Sequence, residues 1–241
     1  MTISVIIPAY NEEKWIRQTL ESVDRAKRYL LARGDSTVET LVVDNASADR
    51  TALIARSLNA KVVQESDHVI SKVRNAGAKA ASGDIFVFID ADVTIPEALL
   101  YRIAQILSDP SCIGGAVDTN YRPNSFSVKV YLQIWRMIGK AARMAQGAVQ
   151  FFRRDAYFSL GGYDESLYMG EDVDFYWRFQ RQAMKQGSRV QFMRDVQVVP
   201  SCRRFDQWPI WRTLIWTNPF VVLLCRRKKR FWDGWYGRPP R

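Results

Sequence analysis

Asp84-Ile-Phe-Val-Phe-Ile-Asp90-Ala-Asp92 is an apolar run that stops abruptly at two acids one residue apart. Positions 85–89 are all β-branched or aromatic and follow Gly83, which reads as a strand buried on both faces with carboxylates at its C-terminal edge. Open α/β sheets bind ligands outside the carboxyl ends of their strands. Two carboxylates held this close repel each other, and a divalent cation shared with a polyanion relieves the repulsion. Mg2+ and Mn2+ accept a few carboxylate oxygens and complete their shells with water or phosphate. The pair therefore points to a metal-diphosphate site. The plainer alternative makes Asp90 and Asp92 solvated turn residues ahead of a helix after Pro96.

Upstream, residues 3–9 form a second continuous apolar run, which Pro8 is expected to end because proline cannot donate to a central ladder. Tyr10-Asn11-Glu12-Glu13 then opens a helix with Ile16, Leu20, Val23 and Leu30 on one face, ended by Gly34. Residues 38–43 predict a strand that delivers Asp44 and Asn45 to the same edge, with Ser47 and Asp49 as cap candidates for a helix through Leu58. A short strand over 61–64 and a small-residue helix over 69–81, closed by Ser82-Gly83, precede the central strand. This alternation predicts an α/β fold, Rossmann-like and doubly wound, with a mostly parallel sheet and flanking helices. The first loop holds no Gly-x-Gly-x-x-Gly, and no Gly-x-x-x-x-Gly-Lys-Ser/Thr occurs, so dinucleotide oxidoreductases and P-loop ATPases lose ground. Pro-Ala-Tyr-Asn-Glu offers an aromatic face and a carboxylate instead, groups suited to a base and a ribose.

Downstream, the patterns predict a helix over 97–107, a strand over 113–117 and a helix over 125–144 whose Val128, Leu132, Trp135, Ile138 and Ala142 read as core packing. Strands over 147–152 and 196–200 and a short helix after Arg153-Arg154 follow. Gly161-Gly162 license a tight turn or a close backbone approach. Gly170-Glu171-Asp172-Val173-Asp174 opens a helix with three acids in its first turn. Dipole complementarity, at about 0.3–1 kcal/mol per acid, accounts for one or two of them. A third, in a chain that already carries an acidic pair, points to a catalytic carboxylate.

The chain of 241 residues is long enough for one large domain with an appendage. Its start lacks a basic leader ahead of an apolar segment, and no stretch of about 18 apolar residues could span a bilayer, so neither secretion nor insertion is expected. Cys112, Cys202 and Cys225 are odd in number and widely spaced, which favours reduced thiols in the cytoplasm over disulfides or a zinc site. The single histidine, His68, excludes a multi-histidine centre and is expected to be incidental. The formal charge of +10 is uneven: ten Lys and Arg against Asp206 and Asp233 follow Ser201, a balance of +8. A nucleic-acid binder spreads basic residues over a folded face, so no nucleic-acid partner is expected. Five of the eight tryptophans fall between Trp208 and Trp235 beside Arg226-Arg-Lys-Lys-Arg230. Trp and Tyr favour the headgroup level and basic residues favour anionic lipid, so residues 208–236 are expected to touch the cytoplasmic leaflet peripherally. The alternative packs the apolar part on the body and leaves the basic run solvated.

Six segments in one order resemble family 2 of the inverting glycosyltransferases with the GT-A fold: Val5-Ile-Ile-Pro-Ala-Tyr-Asn-Glu12, Val42-Val-Asp-Asn-Ala-Ser-Ala-Asp-Arg-Thr51, Arg74-Asn-Ala-Gly77, Phe88-Ile-Asp-Ala-Asp92, Gly161-Gly-Tyr-Asp-Glu165 and Gly170-Glu-Asp-Val-Asp-Phe175. The match runs from residue 3 to about residue 180. The resemblance implies a nucleotide-diphosphate-sugar donor, expected to be a UDP-sugar, a Mg2+ or Mn2+ ion, and transfer with inversion to an acceptor hydroxyl; the leaflet contact expected of the tail would bring the site to a lipid-linked or membrane-borne acceptor. It places Pro8, Ala9, Tyr10 and Glu12 in the nucleoside pocket, Asp44 on the base and Arg74 near the diphosphate or the Asp pair. It puts Asp90 on the ribose and metal side and Asp92 on the metal. Asp172 is the expected general base, with Glu171 as the alternative. On this reading residues 1–205 form the catalytic domain, 1–95 its nucleotide half and 96–205 its acceptor half, and 206–241 the basic tail. Many relatives add a late histidine, absent here after His68; Arg203 and Arg204 either contact phosphate in its place or form a solvated basic turn. Two rival readings are a nucleotide-sugar-binding membrane scaffold without turnover and a sugar nucleotidyltransferase, whose usual glycine-rich first loop this chain lacks.

Overall fold

The computed structural model describes residues 1–142, 144–145 and 147–236. Eight strands form one sheet in the order β3-β2-β1-β4-β7-β6-β8-β5. The strands β1 (Thr2–Ala9), β2 (Thr37–Asp44), β3 (Lys61–Gln64) and β4 (Ile85–Ile89) run parallel, joined by helices α1 (Ile16–Leu31), α2 (Thr51–Ser57) and α3 (Ile70–Ala80). The chain winds outward from β1 to β3 and returns to place β4 on the other side of β1. That reversal opens a crevice at the carboxyl ends of the strands. β1 and β4 read as unbroken apolar runs because both faces are covered: Ile3, Val5, Ile7, Val87 and Ile89 pack toward α1, while Ile6, Phe86 and Phe88 pack into an aromatic cluster with Phe152, Tyr157, Tyr163, Phe175 and Phe179.

The second half adds β5 (Val93–Thr94), α4 (Leu99–Leu107), β6 (Cys112–Thr119), α5 (Phe126–Ala141), β7 (Val149–Arg153), α6 (Arg154–Ser159), α7 (Glu171–Lys185) and β8 (Arg189–Pro200). β7 is antiparallel to both β4 and β6, and β6 is parallel to β8, so the sheet is parallel from β3 to β4 and mixed beyond β4. Four short helices close the described chain: α8 (Arg203–Gln207), α9 (Ile210–Trp216), α10 (Pro219–Cys225) and α11 (Lys229–Tyr236). The boundary expected at 205/206 falls inside α8. The tail is tied to the body: Tyr168 N–H donates to Arg226 O at 2.7 Å, and Arg226 and Arg227 pair with Asp174 and Asp164 at 3.3 and 3.4 Å.

Three local expectations change. Pro8 does not end β1, which continues to Ala9 beside Asp44. It lies beyond Ile6↔Phe88, the last rung shared with β4, where a missing N–H is tolerated. α5 is not a core helix. Val128 is buried, but Ile138 faces outward with Phe126, Val130, Ile134 and Met137. The helix carries apolar residues on both sides, and periodicity alone does not say which side meets the body. In the tail, Trp232 is fully buried, its indole N–H donates to Cys225 O at 2.9 Å and its ring packs near those of Trp216 and Phe231, so this ring is taken up by packing inside the protein and not by a lipid surface. The side chains of Trp235 and Tyr236 lie outside the described residues. Asn218 and Pro219 break the apolar tail as expected: the Asn218 side chain caps α10 by accepting from Phe220 N–H and Val221 N–H. No helix among the described residues is long and apolar enough to cross a membrane.

Gly77 explains one piece of sequence. A Cβ there would stand 2.4 Å from Ile6 Cγ2 and 2.8 Å from Val43 Cγ2, so α3 lies directly on β1 and β2. Alanine favours a helix by about 1 kcal/mol over glycine. Even so, Gly77→Ala is expected to lower the unfolding free energy by about 1–3 kcal/mol through overpacking, read by urea denaturation. An unchanged or higher midpoint would show that α3 lifts from the sheet without cost.

Candidate active site

The loops after β1 and β2 are laced together. Asn11 N–H donates to Ser47 Oγ at 3.0 Å, Ala48 N–H to Asn11 Oδ1 at 2.8 Å, Glu12 N–H to Thr51 Oγ1 at 2.8 Å and Glu13 N–H to Asp49 Oδ2 at 3.1 Å. Asp49 also accepts from Thr51 N–H at 2.9 Å, which opens α2. These bonds explain why the two loops are rich in Asn, Ser, Asp and Thr: each side chain replaces a ladder partner that the loop backbone lacks. Between them, Asp44 is buried and its Oδ1 has no hydrogen-bond partner among the described residues. Leaving such a group unmatched costs about 1–3 kcal/mol, so the position suits a ligand N–H. The Tyr10 ring lies 4.7 Å from that of His68, whose Nδ1 is 3.1 Å from Asn45 Oδ1. His68, expected to be incidental, thus stands at the wall of this pocket, and its distance along the chain from Tyr10 left no local signal.

Arg74 occupies the centre of the cleft. It is buried; Nη1 donates to Glu171 Oε1, and Nη2 donates to Asp90 Oδ1 at 2.9 Å. Its guanidinium carbon lies 5.4 Å from the Tyr163 ring centre. The next residue, Asn75, holds the Gly161-Gly162 loop: Nδ2 donates to Tyr163 O and Glu165 Oε1, both at 2.9 Å, and Oδ1 accepts from Tyr157 Oη at 2.6 Å and Tyr163 N–H at 3.0 Å. Gly162, at φ +73°, brings the backbone so near that a Cβ would stand 2.7 Å from Asn75 Oδ1. Sequence reasoning gave Asn75 no role. Asp172, next to Glu171, is half-buried: Oδ2 accepts from Gly147 N–H at 2.5 Å and Oδ1 from Val173 N–H at 2.8 Å.

Arg203 fills the other side. Its Nη1 and Nη2 both donate to the Glu12 carboxylate, the first at 2.6 Å, and Nη2 lies 3.4 Å from Asp92 Oδ2. The arginine is buried, so the solvated-turn reading does not hold for it. Both Glu12 oxygens are taken by Arg203, and Glu12 orients that guanidinium toward Asp92. Pro8, Ala9 and Tyr10 remain along the β1 edge of the pocket, with Ala9 in register with Asp44.

Asp90 and Glu171 therefore share Arg74, Glu12 and Asp92 share Arg203, and Asp172 adds its charge beside Arg74 without a direct bond to it. Burial pushes Glu171 up to about 7, against the pull of Arg74 and with Asp172 adding to the rise. Withdrawal from water raises Asp90 to about 6, again against Arg74 and with Asp92 as a like charge. A diphosphate entering here alone would meet repulsion. No group of three or more protein ligands for a metal ion is present among the described residues. The donor set fits an ion that takes one or two carboxylates, Asp92 and Asp90, and completes its shell from phosphate oxygens.

A parallel first half, a mixed second half and paired acids at the end of β4 define the GT-A class of fold. Residues 4–161 match the family described as Glycosyl transferase family 2. Glycosyltransferase AglE of Haloferax volcanii is 30% identical over 218 residues, 85% of this chain and 68% of that protein. Dolichol-phosphate mannosyltransferase of Pyrococcus furiosus is 32% identical over 126 residues, 50% of this chain and 34% of that protein. Among solved structures, the mannosyltransferase PcManGT from Pyrobaculum calidifontis in complex with GDP-Man and Mn2+ shares the fold at a TM-score of 0.65 and 24% identity, over 87% of this chain and 59% of that one. The chain belongs to glycosyl transferase family 2 and is by family a glycosyltransferase; the nucleotidyltransferase alternative falls.

The raised carboxyl of Asp90 has a consequence for stability. An acid with a higher pKa in the folded chain binds its proton more tightly there, so the stability it contributes is lost as pH rises from its ordinary value near 4 to about 6. Asp90→Asn cannot ionise. Its thermal midpoint relative to the parent is expected to rise as pH goes from about 4 to about 6 and then level off. A difference independent of pH would show that Arg74 keeps Asp90 ionised throughout.

Proposed function

We propose that this chain transfers a sugar from a nucleoside-diphosphate sugar to an acceptor hydroxyl in one inverting displacement, with Mg2+ or Mn2+ held between Asp92, Asp90 and the diphosphate. The observation that carries the reading is the charge balance of the cleft: four carboxylates paired with two arginines, with Asp172 beside them, leave a negative excess that a cation entering with the diphosphate would offset. The Mn2+ in the printed description of the Pyrobaculum calidifontis structure supports the same reading. When bound, the ion would stabilise the charge that develops on the leaving diphosphate. Uridine is the proposed base, since its imide N–H would meet the unmatched Asp44 Oδ1 beside the packed Tyr10 and His68 rings.

In the transfer, a bond forms between the acceptor oxygen and the anomeric carbon as the bond to the diphosphate oxygen breaks, and the electron pair leaves with the diphosphate. Asp172 takes the hydroxyl proton. Its surroundings support this role over that of its neighbour: Glu171 is buried and bound to Arg74, whereas Asp172 is half-buried and steadied by two backbone N–H groups. Arg74 and Arg203 hold Asp90 and Asp92 apart and in place. The acceptor is proposed to be lipid-linked or membrane-borne, as the name of the Pyrococcus furiosus relative suggests for that protein. Residues 208–236 are proposed to touch the cytoplasmic leaflet through exposed Trp211, Lys228, Lys229 and Arg230. Residues 1–205 are proposed as the catalytic unit.

Asp172→Asn is expected to keep nucleotide-sugar binding and to lower transfer by about 10²–10⁴ in a radiolabelled donor panel. Asp92→Ala is expected to abolish both transfer and the Mn2+-dependent thermal stabilisation by UDP while the protein stays folded. A larger loss in Glu171→Gln than in Asp172→Asn would move the base to Glu171. Near-normal turnover in Asp172→Asn would instead identify an acceptor oxygen that is already anionic, such as a lipid phosphate. Full turnover in excess EDTA would remove the metal from the reaction, and a chain that binds donor but releases no nucleoside diphosphate with any acceptor would be a scaffold.

A further inference from the structure

Three helices turn apolar side chains outward. On α5, Phe126, Val130, Ile134, Met137 and Ile138 are exposed, Phe126 to 80% and Met137 to 71%. Their spacing puts them on one stripe, opposite the buried Val128. The pattern recurs as Trp211, Leu214 and Ile215 on α9 and as Phe220, Leu223 and Leu224 on α10, where Phe220 and Leu224 are 74% and 76% exposed. α5 meets the end of α9, and the segment before α5 meets α8. Tyr131 Oη and Thr217 Oγ1 are 2.5 Å apart, the Tyr121 and Phe205 rings pack at 5.4 Å, and Asn124 N–H donates to Asp206 Oδ1 at 2.8 Å. α5 is also fixed to the body by Arg136, which pairs with the buried Asp118, and the turn after it by Trp177 Nε1–H donating to Ala142 O at 3.1 Å. The outward stripes are therefore held in place, and single exposed leucines do not account for such a run.

Charge says what covers them. No Asp or Glu occurs from residue 119 to 154 or from 207 to 232. Those same stretches carry exposed Arg122, Lys129, Lys228, Lys229 and Arg230. Large apolar and aromatic side chains, a cationic rim and no acid match an anionic lipid headgroup layer.

We propose that α5, α9 and α10 form one docking face for an anionic bilayer surface, in which Phe126 and Met137 enter the headgroup region beside Phe220 and Leu224. This extends the proposed tail contact to a helix of the catalytic body and does not depend on turnover. It also gives α5 a place in the acceptor side of the cleft, because the segment that follows it delivers Gly147 N–H to Asp172.

The test is co-sedimentation of the full chain at low salt with vesicles of phosphatidylcholine alone and with added phosphatidylglycerol. The parent is expected to sediment with the anionic vesicles and to be released by salt. Phe126→Asp with Met137→Asp, and separately Phe220→Asp with Leu224→Asp, are each expected to lower the bound fraction about tenfold or more with unchanged circular dichroism and thermal midpoint. Normal binding of the α5 pair with loss in the α10 pair would overturn the role of α5 and leave the tail contact standing. Normal binding of both pairs, or no binding of the parent to anionic vesicles, would overturn the whole face. A parent dimer in gel filtration that the α5 pair makes monomeric would assign the face to a second copy and overturn the lipid assignment.

Discussion

A guanidinium buried between carboxylates from two other elements fixes the geometry of this cleft. Arg74 comes from α3, Asp90 from the end of β4 and Glu171 from the first turn of α7. Removing one partner of a buried ion pair leaves a charge without compensation and costs about 3–5 kcal/mol, so the three elements must arrive together. Gly170, at φ +73°, allows the chain to enter α7 at the angle that points Glu171 inward. Once Glu171 is committed to Arg74, the adjacent Asp172 is left as the carboxylate with access to the cleft. Three acids in one helical turn thus divide their tasks: Glu171 holds Arg74, Asp172 meets the Gly147 backbone, and Asp174 pairs with Arg178 and Arg226.

Helix α3 does more than carry Arg74. Asn75 saturates the loop that brings Tyr163 under the arginine, and Gly77 lets the helix lie close enough to β1 and β2 for Arg74 to reach the strand ends. A mirror arrangement stands across the cleft, where Glu12 from the first loop holds Arg203 against Asp92. Each acid of the Asp pair therefore has an arginine beside it, and each arginine is in turn held by a glutamate. The result is a rigid, negatively biased floor suited to a cation with its phosphates.

The parallel half of the fold was legible because strands covered on both faces must be continuously apolar, as β1 and β4 are, and because small or polar residues mark where each run ends. The acidic pair was legible for the same reason: it follows a buried strand directly. Long-range pairing was not. Glu12 and Arg203 are 191 residues apart, and an ion pair at that separation leaves no periodic trace. The outward face of α5 was misread as core, since two apolar stripes on one helix look alike until one of them, through Val128, is seen to be buried. Composition places Trp232 among residues for a lipid surface, whereas the ring is buried and its indole N–H donates to the Cys225 carbonyl.

The ion pair at the centre can be tested without knowing any substrate. Unfolding free energies of Arg74→Met, Glu171→Leu and the double variant, measured by urea denaturation at about pH 8, form a closed cycle. If Arg74 and Glu171 depend on each other, each single change costs about 3–5 kcal/mol and the double change costs clearly less than their sum. Losses that simply add would contradict the account, because they would mean that Arg74 and Glu171 do not hold one another in place.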